Sequence, residues 1–428
     1  MQIEWVNHAS FVVDSGSVHL ICDPWLDGTA FNHGWKLISS TAFRYEDFAR
    51  ITHIWFSHEH PDHFSPSNLK RIPEDLRSRI TVLFHCTKDK RVLKVCKAYG
   101  FQTQELPDFE HVALSPDFRI ICGRQGLIDS WIAVFADGKT VLNLNDCIFG
   151  RQDDLVAIKQ KLRKVDVLLS QFSYANWVGN PEDSASHAKH AQRKRMEMRR
   201  YIQMFKPAIF IPFASFVYFS HAENSYMNAA VNRIGDIYEF ATRQLGVSTV
   251  VLYPGDKWEV TEPRDSIDSI RKYEQDFDSA VSLSPDTSPS IQMRKLRETA
   301  DGLIRKCSNK NNRVLLKAIP PAVIRLDDLG IEVELSYRGG LHEVEGKHPD
   351  IVMSSDSLNY CMQYDWGGDT LAVNGRYRAP QDGNVRNFFR IFRVPQHNSA
   401  GNSFDLMFLG HQVVKKTMDV LKPKEDIT

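Results

Sequence analysis

Short apolar runs rich in β-branched residues alternate with polar turn clusters over the first part of the chain. Residues 10–13 and Val18–Cys22 flank one such cluster, which predicts a β-hairpin. Residues 51–56 form an apolar run without alternation, which is typical of a strand buried on both faces. Ser65 followed by Pro66 is typical of a helix start. The pattern therefore predicts an amino-terminal part built mainly of strands.

Strands give way to alternating strands and helices in the middle of the chain. A β-rich half that passes into strand–helix–strand units indicates a layered α/β protein in which helices cover sheets. The predicted elements are strands at 80–85, 118–122, 131–135 and 141–144, a helix at 153–164, a strand at 165–170, a helix at 191–205, a strand at 208–212, a helix at 228–245 and a strand at 247–253.

The character of the chain changes again after residues 254–256, so residues 1–260 are predicted to form the larger first domain. Residues 261–300 are polar and carry serine, aspartate and proline, which predicts a linker or an exposed excursion. Further apolar runs predict a smaller α+β domain of unknown role over residues 301–428. These runs, all predicted as strands, lie at 314–316, 331–336, 351–353, 370–373 and 388–392.

The composition is that of a soluble globular protein. Hydrophobic residues make up 42% and charged residues 25%, and 53 basic side chains balance 53 acidic ones. This balance indicates neither a nucleic-acid nor a membrane partner. The seven cysteines are scattered without a C-x-x-C pair, which fits reduced thiols better than a disulfide framework. Residues 1–5 lack the pattern of a signal peptide, so we expect a cytoplasmic protein.

Three histidines and an aspartate lie close together directly after the predicted strand at 51–56. Imidazole nitrogens and carboxylates are ligands that zinc, iron and manganese prefer. We expect His58 and His60 to face one metal ion, and Asp62 and His63 to face a second. The alternative is a polar, titratable loop without metal. Because only 16 of 428 residues are histidine, this clustering is not expected by chance and favours a metal site.

The pattern H-x-H-x-D-H resembles the signature of the metallo-β-lactamase superfamily, which implies an αββα four-layer fold. Residues 22–26, 142–147 and 212–216, together with Ser220 and His221, are similar to one branch of that superfamily. This branch contains the CMP-N-acetylneuraminate hydroxylases, in which a Rieske iron–sulfur domain precedes the fold. The resemblance covers roughly residues 1–260 and becomes thin in the carboxyl-terminal third.

The resemblance also implies further metal ligands. Asp146 matches the carboxylate that bridges both metals, and His221 matches the last histidine ligand. Asp129 matches an aspartate of the branch and is either a ligand or a neighbour that orients one. Superfamily members usually carry another histidine just before this position, where the chain has Gln125, which offers only a weak carbonyl oxygen. Either Asp129 completes the site, or a distant histidine does, or one metal is held loosely.

Other residues carry weaker signals. His8 would reach the site from the amino-terminal sheet, or it has a core or turn role. Tyr174, Asn176 and Trp177 follow the predicted strand at 165–170 and are candidates for binding substrate. The basic segment that follows, near residues 184–200, is either an anion-binding surface or a solvated helix, and the second interpretation is favoured.

We predict an enzyme that uses two divalent metal ions, zinc or iron, with Asp62 essential for catalysis. Hydrolysis of an anionic small molecule through a metal-bound hydroxide is favoured because it needs no missing parts. The alternative is a non-haem diiron oxygenase acting on a nucleotide sugar or similar substrate, as the branch implies. The chain has no C-x-H and C-x-x-H segments for a Rieske cluster, so that reaction needs an external electron-donor protein. A non-catalytic binding protein with a degenerate site is the third hypothesis.

Overall fold

The computed structural model describes residues 1–126 and 128–405. It divides the chain into two compact units, Met1–Asp286 and Thr287–Thr428. Leu127 and residues 406–428, the end of the predicted carboxyl-terminal domain, lie outside the described residues.

Most strands of the first unit coincide with apolar runs of the sequence, and β2 and β3 form the predicted antiparallel hairpin. In chain order, the strands are β1 (Gln2–Asn7), β2 (Ser10–Ser15), β3 (Val18–Cys22), β4 (Trp35–Leu37), β5 (His53–Trp55), β6 (Thr81–His85), β7 (Gln102–Leu106), β8 (His111–Ser115), β9 (Phe118–Gln125), β10 (Asp129–Ala136), β11 (Lys139–Asn143), β12 (Val167–Gln171), β13 (Ile209–Phe213), β14 (Val217–Phe219), β15 (Ser248–Thr249), β16 (Lys257–Glu259), β17 (Ala322–Leu326), β18 (Ile331–Ser336), β19 (Gly340–Val344) and β20 (Ile351–Met353).

Several helices begin at side-chain caps, as at Ser65, whose hydroxyl accepts a hydrogen bond from the backbone N–H of Asn68. In chain order, the helices are α1 (Pro66–Arg71), α2 (Glu74–Arg77), α3 (Arg91–Ala98), α4 (Gln152–Leu162), α5 (Ser184–Phe205), α6 (Ile234–Glu239), α7 (Ile267–Ser282), α8 (Met293–Lys310), α9 (Arg313–Lys317), α10 (Ser355–Gln363), α11 (Gly367–Asn374) and α12 (Val385–Ser399), with 3-10 turns at Tyr45–Arg50 and Ser225–Ala230 and a π-helical turn at Phe240–Gln244.

Two seven-stranded sheets form the centre of the first unit. The first sheet has the order β16-β1-β2-β3-β5-β6-β7, and the second has the order β15-β13-β12-β11-β10-β9-β8. One apolar cluster joins the facing sides of the two sheets and continues beneath α4, α5 and α6. A second cluster joins the other face of the first sheet with α1, α2 and α3. Helices therefore cover both outer faces, and the predicted αββα four-layer fold is confirmed.

Parallel pairing brings the carboxyl ends of several strands to one edge of each sheet. Strands β3, β5, β6 and β7 are parallel in the first sheet. Strands β11, β12, β13 and β15 are parallel in the second. His58 lies in the loop after β5, and Asp146 lies in the loop after β11. The hydroxyl of Ser130, on β10, donates a 2.6 Å hydrogen bond to the carbonyl of Ser57, which links the two sheets beside these loops.

The second unit is built on a four-stranded sheet with the order β19-β18-β17-β20. Strands β17 and β20 are parallel, and the remaining pairs are antiparallel. Helix α8 contributes Leu296, Ala300 and Leu303 to the buried apolar residues of this unit. The predicted α+β architecture of the carboxyl-terminal part is therefore confirmed.

Three runs predicted as strands in this part are helices, so those predictions were wrong. Residues 314–316 lie in α9, residues 370–373 in α11, and residues 388–392 in α12. In α12 the buried side chains include Phe388, Ile391 and Phe392, which recur at the spacing of a helix face. Short apolar runs do not distinguish a strand from one face of a buried helix.

The stretch predicted as a linker, residues 261–300, is mostly helical. It contains all of α7 and the first part of α8. Tyr273 and Phe277 of α7 are buried, and the indole N–H of Trp5 donates a 2.9 Å hydrogen bond to the Tyr273 hydroxyl. The polar residues within α7 and α8 form the exposed faces of these helices, whereas residues 283–292, which carry the Ser- and Pro-rich part of the stretch, lie between them outside any helix. The structure thus differs from the prediction because periodicity, rather than mean polarity, decides the state of this segment.

Two expectations from composition can be compared with the structure. All seven cysteines are free thiols, and all except Cys86 are buried. Among residues 1–126 and 128–405, no helix combines the length and the apolar composition needed to cross a membrane.

Gly123 of β9 provides a test of how tightly β9 and β10 pack beside the edge that carries the histidines. It pairs with Trp131, and a Cβ at Gly123 would lie 2.3 Å from the indole ring. Trp131 is almost fully buried, so Gly123→Ala is expected to lower the free energy of unfolding by about 1–3 kcal/mol in urea denaturation.

Gly150→Ala is the matched control, because a Cβ at that position meets no atom within 4 Å. It is expected to change the free energy of unfolding by less than about 1 kcal/mol. Equal stability of the two variants would show that Trp131 does not occupy this space.

Candidate metal centre

The histidine loop begins where the buried strand β5 ends. The backbone N–H groups of His63 and Phe64 donate hydrogen bonds of 3.0 and 2.7 Å to the carbonyl of His60, which closes a tight turn. His58, Asp62 and His63 are exposed by no more than 2%, whereas His60 is only partly buried. The loop therefore turns three of its four candidate ligands towards the interior.

One group of candidate ligands consists of His58, His63 and Asp146. Each residue offers one ligand atom, and these atoms all lie within 4.8 Å of one another. The rings of His58 and His63 have centroids 4.2 Å apart, and His63 Nε2 lies 3.4 Å from Asp146 Oδ2. A residue of the second sheet thus joins two residues of the loop on the first sheet.

A second group shares His63 and adds His8 and Asp62, again with ligand atoms within 4.8 Å. Asp62 Oδ2 lies 3.3 Å from His8 Nε2 and 3.3 Å from His63 Nε2. His8 stands between β1 and β2 with a positive φ of 39°. This grouping differs from the expected one, in which His58 faced one metal with His60 and His63 faced the other with Asp62.

The polar atoms at the centre of these groups are not satisfied by the protein itself. Asp62 Oδ1, His63 Nε2 and Asp146 Oδ1 are buried without a hydrogen-bond partner among the described residues. Buried polar atoms normally have partners, so a cluster of such atoms needs an explanation. Imidazole and carboxylate donors converging at these distances fit one or two divalent metal ions.

Asp23 contacts His63, the histidine that both groups share, on the side of the ring opposite Nε2. Its carboxylate, fully buried, accepts hydrogen bonds of 2.7 Å from the backbone N–H and the hydroxyl of Ser57 and from the side-chain amide of Asn145. The same carboxylate lies 3.0 Å from His63 Nδ1. A carboxylate at Nδ1 fixes the ring orientation and leaves Nε2 directed at the centre of both groups.

Charges in the cluster are strongly coupled. Burial opposes protonation of His63, but Asp62, Asp146 and Asp23 outweigh it and hold the pKa of His63 well above its usual range. Burial likewise opposes ionisation of Asp62, but His63 and His8 outweigh it and lower the pKa of that carboxyl. Burial lowers the pKa of His58, with a further contribution from His63. His58 is therefore held neutral, which is the form that binds a metal.

His60 and Asp129 lie beside His58 but outside both groups. His60 Nδ1 is 2.9 Å from His58 Nε2, and Asp129 Oδ1 is 3.9 Å from the same atom. The structure therefore brings both predicted residues to the first group. Their part in binding a metal remains a prediction.

His221 follows β14 and is buried in a turn of its own. Its backbone N–H donates a 3.0 Å hydrogen bond to the Asn224 side chain, and its Nδ1 accepts one of 3.2 Å from the Glu223 N–H. His221 stands outside the two groups, and its assignment as a ligand stays a prediction.

Gln125 stands where members of the predicted superfamily have a histidine. Its side chain is hydrogen-bonded to the backbone. Its amide N–H donates a 3.1 Å hydrogen bond to the carbonyl of Ile148. Gln125 pairs with Asp129 across β9 and β10, so the carboxylate begins the strand opposite it. Which of the three alternatives supplies the missing ligand stays a prediction, because Asp129 lies near His58 but outside both groups, whereas a distant histidine, His8, belongs to the second group.

The predicted substrate-binding residues have structural contacts. The Tyr174 hydroxyl is buried and donates a 2.5 Å hydrogen bond to the carbonyl of Met227, and burial raises the pKa of this tyrosine. The Asn176 amide donates to the carbonyl of Trp177 over 2.9 Å. A role of these three residues in substrate binding therefore stays a prediction.

The basic segment forms the long helix α5. Arg193 and Lys194 each lie 3.2 Å from a carboxylate oxygen of Glu197. Arg195 donates a 2.8 Å hydrogen bond to the side chain of Asn232. These internal partners support the interpretation of α5 as a structural helix with a solvated face.

Residues 2–115 match the family described as Beta-lactamase superfamily domain. The chain carries a beta-lactamase superfamily domain. The resemblance inferred from H-x-H-x-D-H is therefore confirmed, since the matched segment contains that motif.

Curated relatives are about one quarter identical to this chain over the residues that they match. A Mycolicibacterium smegmatis protein named as a Rieske 2Fe-2S iron–sulfur protein is 26% identical over 230 residues, which is 50% of this chain and 43% of the relative. The cytidine monophosphate-N-acetylneuraminic acid hydroxylase of Xenopus laevis is 22% identical over 316 residues, which is 66% of this chain and 52% of the relative. The chain thus spans about half the length of the curated relatives it matches.

A solved structure with a related arrangement is CmlA, a diiron β-hydroxylase from Streptomyces venezuelae. It is 15% identical, has a TM-score of 0.45, and covers 60% of this chain and 54% of its own.

Two residues beside the ligand groups, Asp23 and His85, were not predicted from the sequence, and the role of His8 was left open. His85 ends β6, next to β5, and is 2% exposed with neither ring nitrogen hydrogen-bonded. Burial, with a further contribution from Arg124, lowers its pKa to about 4. The signal was present: alternation along 80–85 places His85 on the same sheet face as Leu83, which lies in the core between the sheets.

Asp23→Asn tests the orienting role of this carboxylate in the beta-lactamase superfamily domain. The amide of this variant has the same shape as the carboxylate, but its N–H group would face the N–H groups of Asn145 and His63. At least one of these hydrogen bonds would therefore be lost. We expect metal affinity, measured by competition with a chelator, to fall about 10–100-fold.

Asp27→Asn is the control, because that carboxylate forms a partly exposed ion pair with Arg71. It is expected to leave metal affinity unchanged. Unchanged affinity in both variants would contradict the role assigned to Asp23.

His85 predicts a pH dependence of stability in chelator-treated protein. Its pKa is lowered to about 4 in the folded state, so the unfolded state binds the proton more readily between about pH 6.5 and 4. Stability is therefore lost as the pH falls through this window. We expect the free energy of unfolding, measured by urea denaturation, to fall between pH 7 and 4.5. The fall is expected to be about 2–3 kcal/mol smaller in His85→Leu than in the wild type.

The control is His348→Leu, at an exposed histidine of the second unit. It is expected to keep the pH dependence of the wild type. An unchanged pH dependence in His85→Leu would contradict the buried, neutral state of that imidazole.

Proposed function

We propose that the beta-lactamase superfamily domain of this chain is a metal-dependent hydrolase that acts on an anionic small molecule. The observation that carries the proposal is the pair of ligand groups sharing His63, together with the unsatisfied atoms of Asp62, His63 and Asp146. These buried atoms have no hydrogen-bond partner among the described residues, although His63 Nε2 lies 3.3 and 3.4 Å from carboxylate oxygens of Asp62 and Asp146. A divalent cation would supply the interactions that they lack.

The proposed ligands follow from this geometry. His58, His63 and Asp146 form one site, and His8 and Asp62 extend it to a second. Asp129, His60 and His221 are proposed as further ligands. Two divalent metal ions bound there would polarise a substrate oxygen and lower the pKa of a water molecule.

The chain's own residues supply orientation and a proton acceptor. Asp23 holds the His63 ring through Nδ1 and keeps Nε2 directed at the site. Asp62 Oδ2 lies 3.3 Å from both His8 Nε2 and His63 Nε2, on the side where a metal ion would bind. We propose that Asp62 is the catalytic residue, and that its other carboxylate oxygen, Oδ1, accepts a proton from the attacking water and returns it to the leaving group.

A diiron oxygenase is the second candidate, and two observations favour it. A carboxylate, Asp129, lies beside His58 and pairs with Gln125, which stands where the superfamily usually has a histidine, and harder oxygen ligands suit iron better than zinc. One curated relative is named as a hydroxylase of cytidine monophosphate-N-acetylneuraminic acid. In this case the substrate would be a nucleotide sugar or similar molecule, and a separate protein would donate electrons.

Metal content and reactivity together decide between the two reactions. The hydrolase proposal predicts colourless protein with about two zinc ions per chain, and oxygen-independent cleavage of chromogenic phosphoesters or lactones. Iron with oxygen-dependent turnover in the presence of an electron donor would overturn it and support the oxygenase.

Asp62→Asn tests the catalytic assignment under either reaction. Because the amide cannot take up the proton, we expect turnover to fall by about 100-fold or more while the chain remains folded. Glu182→Gln, at an exposed carboxylate, is the control and is expected to keep full activity. Wild-type turnover by Asp62→Asn would refute the assignment.

A further inference from the structure

The second unit contains a pocket between α8 and α9 that no part of the proposed function uses. Its volume is about 290 Å³. Helix α8 contributes Arg305 together with Ser308 and Asn309, and α9 contributes Arg313 and Lys317. The remaining lining residues are apolar or aromatic, namely Ile304, Leu316 and Tyr337.

The charge of this pocket is uniformly positive. Arg305, Arg313 and Lys317 line it, and no carboxylate of the described residues does. Within the part of the unit that the structure describes, none of these three cations forms an ion pair, whereas Lys306, the immediate neighbour of Arg305, lies 2.5 Å from a carboxylate oxygen of Asp365. The three side chains are exposed, and cations that line one pocket without a counter-charge attract an anion.

The two helices present their polar residues to the pocket at helical spacing. Arg305, Ser308 and Asn309 share one face of α8 because they are three and four positions apart. Arg313, Leu316 and Lys317 share one face of α9 in the same way. The bases of three cationic side chains are therefore fixed by the backbone around one space.

The base of the pocket is buried and largely apolar. Leu316 is 1% exposed and Tyr337 is 6% exposed. The Tyr337 hydroxyl donates a 2.9 Å hydrogen bond to the carbonyl of Ile391 in α12. A ligand would therefore meet cations and hydroxyl or amide donors at the rim and an apolar surface beneath.

We propose that this pocket binds a small phosphate monoester, with the phosphate among Arg305, Arg313 and Lys317 and its organic part against Leu316. Guanidinium groups bind phosphate through paired hydrogen bonds, and lysine adds charge. A volume of about 290 Å³ is close to the lower limit of small-molecule sites, which suits a compact ligand. The proposal is independent of the metal centre in the first unit.

Titration calorimetry with phenyl phosphate tests the proposal on the full chain. Chelator-treated protein is used, so that phosphate does not bind to metal in the first unit. We expect saturable binding of one phenyl phosphate per chain, weaker binding of inorganic phosphate because it lacks the apolar part, and no binding of phenol.

Variants assign the binding to the pocket. The triple variant Arg305→Gln, Arg313→Gln, Lys317→Gln is expected to weaken phenyl phosphate binding about tenfold or more. The charge-matched control replaces the exposed Lys295, Arg386 and Arg390 by Gln and is expected to stay within about twofold of the wild type. Arg313→Gln alone, at an exposed position, is expected to show intermediate weakening and serves if the triple variant does not fold.

Three results would overturn the proposal. The first is the absence of saturable binding of phenyl phosphate to the wild type up to about 10 mM. The second is equal weakening in the pocket variants and in the control variant, which would indicate general charge attraction. The third is binding to vesicles that contain phosphatidic acid without binding of phenyl phosphate, which would indicate a lipid surface.

Discussion

The Asp23 carboxylate is the point at which the two sheets of the first unit are tied together around His63. It follows β3 of the first sheet and accepts hydrogen bonds from Ser57, which follows β5, and from Asn145, which follows β11 of the second sheet. A fully buried carboxylate is costly unless its oxygens are hydrogen-bonded, so this arrangement strongly favours one geometry. The same bonds place His63 at the centre of both ligand groups.

The position of His63 between Asp23 and the other candidate ligands determines which atoms can bind a metal. The side that faces Asp23 is satisfied by hydrogen bonds, whereas the opposite side ends in the unpartnered atoms of Asp62, His63 and Asp146. One face of the cluster is thus fixed by the protein, and the other offers carboxylate oxygens to a cation, which would displace the proton that the neighbouring carboxylates favour on His63. A fixed supporting shell around open ligand atoms is what a metal site requires, because binding then costs little reorganisation.

The sequence predicted the layered fold and the histidine loop well, because both depend on local patterns. His58, Asp62 and His63 form one motif, and Asp146 was placed through a family resemblance. Asp23 and His8 reach the site only through the pairing of β1 and β3 with their neighbours, which no local pattern specifies, whereas alternation along 80–85 indicates the sheet face of His85. The helices α9, α11 and α12 were mistaken for strands, since runs of three to five apolar residues fit either state. The grouping of His63 with both sites likewise depends on tertiary distances.

The central claim is that His63 is shared by two metal-binding groups. Anomalous diffraction from crystals grown with zinc or iron tests it most directly. The account predicts two peaks close to His63, one coordinated by His58 and Asp146 and the other by Asp62, at about 2.0–2.2 Å from the ligand atoms. A folded loop without a peak, or with metal bound only at sites away from His63, would contradict it.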